Sequence, residues 1–154
     1  MGTDDVLYLD LGPAYIGSGR AYVYILCSKR SNALYIGQTN DVSGVYGRLA
    51  GHLREGGTFR VRLWERRGIG IQEVDDLELF AFALPALPEF TSRDEVYRKG
   101  VEYGVQHLLH TVSGRWQPYF YIISNTTAPV TTDYPEVVAL STAIFNTLEN
   151  LYCS

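Results

Sequence analysis

Tyr22-Val23-Tyr24-Ile25-Leu26, Leu34-Tyr35-Ile36-Gly37-Gln38-Thr39 and Arg48-Leu49-Ala50-Gly51-His52 follow one another within residues 22–52. Ala21 to Ser28 is apolar and aromatic and reads as a buried strand. Lys29-Arg30-Ser31-Asn32 supplies turn chemistry, and Ala33 to Gln38 returns as the second strand of an antiparallel hairpin. Asn40-Asp41 and Ser43-Gly44 can cap a helix from about Val45 to Arg54, which Gly56-Gly57 closes. Tyr22 and Tyr24 stand two apart on one strand and project from one face, so either can lie near Tyr35 on the partner strand. Gly37 leaves room for close backbone approach. Arg48 and His52, four apart, share a helix face. If that helix packs back over the hairpin, phenols, a guanidinium and an imidazole converge. Such groups suit work on a phosphate; they do not suit a redox or acyl-transfer site. Taken singly, the tyrosines read as cross-strand packing, Arg48 as a surface charge and His52 as a surface or cap histidine. Their joint spacing is what points to a site.

Outward from this segment, residues 1–19 read as an irregular arm in which Val6 to Leu9 fits a short strand. Residues 20–154 read as a single domain. Thr58 to Glu65 fits either helix or strand, because Phe59, Val61 and Leu63 alternate. Leu77 to Leu84 reads as a central strand ended by Pro85 and Pro88. Ser92 and Glu95 have capping-box spacing and open a helix to about His110, with Val101, Val105, Leu108 and Val112 on one stripe. Ser113-Gly114 stops it. Trp116 to Ser124 reads as strand or extended chain and Asn125 to Tyr134 as loop. Pro135 starts a final helix of roughly 18 residues, whose several apolar faces fit a core role or a dimer surface. The resulting class is α/β, a small sheet flanked by helices, and not a doubly wound parallel sheet.

The 154 residues suffice for one ordinary domain. No run approaches a membrane span. The acidic start, Met1 to Asp5, is unlike a signal peptide, and two cysteines, Cys27 and Cys153, fit reduced thiols; both point to a cytoplasmic protein. A net charge of −4 argues against simple coating of nucleic acid. From Arg48 to Arg67, however, six arginines face two glutamates, a local balance of +4. Arg54, Arg60, Arg62, Arg66 and Arg67 are candidate phosphate-backbone contacts, with Trp64 available for stacking; the alternative is a solvated basic face.

The two triplets, Arg48 and His52 resemble the signature of the GIY-YIG nuclease superfamily. Gln38-Thr39 also matches the usual continuation of the second triplet. A rival triplet, Tyr15-Ile16-Gly17, has no tyrosine partner upstream. The first triplet departs from the family by Tyr22 in place of glycine, and Tyr22 is a possible occluding or participating side chain. The resemblance implies a layered domain with a small, mainly antiparallel central sheet. It implies hydrolysis of DNA phosphodiester bonds by direct attack of water, with one Mg²⁺ or Mn²⁺. Tyr24, Tyr35, Arg48 and His52 would act with a glutamate on a later helix as the metal ligand. Glu102 is preferred over Glu95, whose capping position explains it without function. Asn125, or else Gln117, matches the family's asparagine. The expected partner is double-stranded DNA, with a homodimer or a targeting partner possible and no membrane. The competing implication is a catalytically inactive nucleic-acid- or protein-binding module of the same fold.

Overall fold

β1 (Tyr22–Ser28) and β2 (Ala33–Thr39) form the antiparallel hairpin, with Tyr24 opposite Gly37 and Leu26 opposite Tyr35. The structure, a computed structural model, describes residues 19–111 and 120–153, with side chains as far as residue 151. The strand expected at Val6 to Leu9, the rival triplet at Tyr15, Val112, the stop at Ser113-Gly114, Trp116 and Gln117 lie outside the described residues.

α1 (Gly44–Leu53) and α2 (Thr58–Arg67) follow the hairpin. The ambiguous segment after Gly57 is therefore helical. Phe59 and Leu63, four apart, are fully buried while Val61 between them is exposed; a strand would set all three on one face, and a helix separates Val61 from the other two. β3 (Glu78–Ala83) pairs antiparallel with β1. A short α3 (Pro88–Thr91) and the long α4 (Val96–Thr111) come next. β4 (Tyr121–Ile122) pairs parallel with β2, and α5 (Pro135–Cys153) is last.

The strand order is β3-β1-β2-β4, so β1 is central and β3 is an edge strand. This corrects the expectation of a central strand at Leu77 to Leu84. An apolar run reports burial and not the number of neighbours, and no residue of β3 is fully buried, as befits its edge position. The sheet is mixed, mostly antiparallel and flanked by helices on both faces. Tyr22, Tyr24, Leu26 and Ala33 pack with Val45, Phe59 and Leu63 of α1 and α2. Val23, Ile25, Cys27, Leu34 and Ile36 pack with Val101, Val105 and Leu109 of α4 and Val137, Ile144, Phe145 and Leu148 of α5. Alternation along β1 thus feeds two cores, and every residue of the strand is buried. Val138 and Leu151 remain exposed on α5. No described helix is long and apolar enough to cross a membrane.

The capping box expected at Ser92 and Glu95 is not formed. Ser92 Oγ donates to the Asp94 carbonyl, and the Asp94 carboxylate accepts from the Val96 N–H. Glu95 instead pairs with Lys99 and accepts a bond from Gln38.

Candidate active site

The hairpin register puts the Tyr24 ring over Gly37. A Cβ at residue 37 would stand 2.4 Å from the Tyr24 hydroxyl, so only glycine fits beneath the ring. From there the Tyr24 hydroxyl meets His52 Nε2 at 2.6 Å, both residues buried. α1 delivers His52 because its helical rise sets Arg48 and His52 on the same face toward the sheet. Tyr35 closes the group edge-on, with its ring centroid 4.8 Å from that of His52 and 6.1 Å from that of Phe59. Arg48 is exposed yet reaches the Tyr24 hydroxyl as a hydrogen-bond donor.

The environment separates the proton affinities of these groups. Burial pushes the Tyr24 phenol well above its ordinary value, the Tyr35 charge adds to this, and the Arg48 hydrogen bond opposes it. Burial and then the Glu102 charge also raise Tyr35. Burial, helped by the Arg48 charge, pulls His52 down to about 4. At neutral pH the imidazole is therefore uncharged. With Tyr24 protonated, Nε2 is the acceptor of the phenol proton. Burial lifts the half-buried Glu102 to about 7, with Glu95 adding and Lys99 and Arg48 opposing. Glu102 acts on both phenols and Arg48 in turn on Glu102, so α4 holds this carboxylate within electrostatic reach of the group.

The structure distributes the remaining candidates. Tyr22 is buried in the core cluster beside α1 and α2, the same cluster that holds Tyr24. Ser124 Oγ accepts a bond from the Ile36 N–H, and the neighbouring Asn125 is exposed. Among the arginines, Arg62 lies close enough to lower the Tyr35 phenol and also pairs with Glu65. Arg60 donates to the Leu53 carbonyl, and Arg67 donates to the Ser31 carbonyl and lies over the Tyr121 ring. Arg54 and Arg66 are exposed.

Arg98 and the bridging role of Gln38 escaped sequence reading. Gln38 accepts from Arg98 Nε at 2.8 Å and donates to Glu95 at 2.9 Å, tying the end of β2 to the start of α4. Arg98 is 2% exposed and also donates to the carbonyls of Phe90 and Ser92. Its signal was periodic: residue 98 falls on the stripe of Val101, Val105 and Leu109, where an arginine must be paired. No group of three or more His, Cys, Asp or Glu residues able to hold a metal occurs among the described residues.

No curated protein and no solved structure matches the chain. Residues 20–83 match the model of the GIY-YIG catalytic domain, the stretch that holds Tyr24, Tyr35, Arg48 and His52. That match supports membership of the GIY-YIG nuclease superfamily.

Proposed function

We propose that the chain is an endonuclease that hydrolyses phosphodiester bonds of double-stranded DNA by direct attack of water. The observation that carries this reading is the buried Tyr24–His52 hydrogen bond with Arg48 on its open side. The family is one of typical endonucleases, and its nucleases generally use divalent metal ions. The sharing of β1 and β2 between both helical layers supports residues 20–154 as one domain. The buried Cys27 thiol supports a cytoplasmic setting.

Glu102 fits the role of metal ligand. It makes no salt bridge among the described residues, and its desolvation is a cost that a bound cation relieves. One carboxylate with water completing the shell suits Mg²⁺ or Mn²⁺. When bound, such an ion supplies Lewis-acid stabilisation of charge on the phosphate and leaving oxygen.

The protein groups then divide the work. Arg48 takes a non-bridging oxygen with its guanidinium fork. Tyr24 accepts a hydrogen bond from the attacking water and passes its own proton to His52 Nε2 as it receives one. A phosphate bound at Arg48 neutralises the charge that helps hold His52 down, so the substrate itself strengthens the acceptor. Tyr35, beside both Tyr24 and His52, orients the water or the scissile phosphate. Mn²⁺ titration followed by electron paramagnetic resonance tests the metal assignment: one ion is expected, and its affinity is expected to fall at least tenfold in Glu102→Ala. Unchanged binding in that variant would remove Glu102 from the site. Tight DNA binding with no cleavage under Mg²⁺ or Mn²⁺ would favour the binding-module reading.

A further inference from the structure

We propose that the cavity between α1 and α2 is a second phosphate subsite, in which Arg48 and Arg54 hold the phosphodiester next to the one being cleaved. The inference rests on the nuclease reading and specifies how that site grips its strand. The cavity has a volume of about 120 Å³ and is lined by Arg48, His52, Arg54, Gly56, Gly57 and Thr58, with Gly51 at its wall. It therefore shares Arg48 and His52 with the candidate active site and reaches Arg54 and Thr58 beyond it.

The tight turn between the helices builds this cavity. Gly56 adopts a positive φ of 70°, and a Cβ at Gly57 would stand 2.2 Å from the His52 carbonyl oxygen. These glycines bring the start of α2 against the end of α1. Arg54 caps α1 in an extended conformation, with φ −64° and ψ 166°.

The chemistry of the lining selects an anion. It contains two guanidinium groups and no carboxylate. Neither Arg48 nor Arg54 forms a salt bridge among the described residues, although Arg30 and Arg62 do. In a chain of net charge −4, two arginines converging without a carboxylate mark where negative charge is received. The N-cap of α2, Gly57, offers no side-chain cap, so the positive end of that helix dipole adds to the guanidiniums. The forked, planar guanidinium matches phosphate oxygens. Because Arg48 faces both compartments, an anion here lies beside the phosphate presented to Tyr24.

The same chemistry would accept inorganic phosphate or a phosphodiester within a strand, and two measurements separate these sources. Inorganic phosphate is titrated into the metal-free protein while amide resonances are followed by NMR. Saturable shifts are expected at Gly56, Gly57 and Thr58, and Arg54→Ala is expected to weaken them about tenfold, within the range for a charge-assisted hydrogen bond. Arg93→Ala, at an exposed position away from the cavity, is expected to match the parent. Equal titrations in Arg54→Ala and the parent would overturn the subsite.

In the second measurement, duplexes carry one neutral methylphosphonate beside the cleaved bond, on either side in turn. One of the two positions is expected to slow single-turnover cleavage about tenfold in the parent and about twofold in Arg54→Ala, since the lost charge and lost guanidinium belong to one contact. Equal slowing in both proteins would contradict the pairing of Arg54 with that phosphate. Saturable phosphate binding through Arg54 without cleavage of any nucleic acid would remove the nuclease reading and leave an anion site that does not serve one. The two failures are therefore distinguishable.

Discussion

Gly37 lies under the Tyr24 ring, so a single methyl group tests how tightly the site is built. Gly37→Ala puts a Cβ 2.4 Å from the hydroxyl that bonds His52. The expected result is a loss of about 1–3 kcal/mol of stability in urea unfolding, as for overpacking elsewhere, and a fall of about 100-fold in any cleavage rate through the displaced phenol. The same site couples folding to pH in opposing directions. The unfolded chain binds the His52 proton at higher pH than the folded chain, so this group adds stability as pH rises from about 4 to 6.5. The folded chain holds the Glu102 proton at higher pH than the unfolded chain, so that group removes stability as pH rises from 4.5 to about 7. In the metal-free protein these slopes offset each other between pH 4.5 and 6.5. Glu102→Gln removes the falling slope, and stability measured in urea is expected to climb with pH by about 2–3 kcal/mol more than in the parent. Equal pH slopes in the two proteins would contradict the burial of Glu102.

At the scale of elements, α4 reaches the site through Gln38 and Arg98 as well as through its apolar stripe. Arg98→Ala leaves the buried Phe90 carbonyl and the Gln38 amide oxygen without this donor, while the Ser92 carbonyl keeps Asn40. A loss of about 2–4 kcal/mol is expected in denaturant unfolding, the range for breaking a buried charged hydrogen-bond network; a loss below 1 kcal/mol would show that apolar packing alone holds α4. The hairpin and α1 were legible in the sequence because their determinants are local: alternating residues, a four-residue turn, and Arg48 and His52 at helical spacing. α2 was not, since Phe59, Val61 and Leu63 fit a strand until the exposure of Val61 between the buried Phe59 and Leu63 chooses the helix. The edge position of β3 was not legible either, because pairing partners are tertiary. Glu95 carries capping spacing, but Gln38 and Lys99 claim its carboxylate. The candidate site was readable up to the hydrogen-bond partner of Tyr24. Its support by Gln38 depends on where α4 crosses β2, which no local pattern encodes.

Across the whole molecule, a basic α1–α2 segment stands on an acidic body. Arg60, Arg62 and Arg67 spend donors on carbonyls or on Glu65, while Arg66 is exposed and forms no salt bridge among the described residues. DNA affinity is expected to fall with salt, and Arg66→Ala to reduce the slope of log affinity against log salt by about 1, as for one lost phosphate contact; an unchanged slope would place the DNA elsewhere. The most direct test of the central claim is nicking of supercoiled plasmid with Mg²⁺ or Mn²⁺, comparing the parent with Arg48→Ala and Glu102→Ala. The account predicts metal-dependent nicking by the parent and rates lower by at least about 100-fold in both variants, the scale expected for a removed electrostatic contact to the transition state. Parent-like nicking in both variants would contradict it.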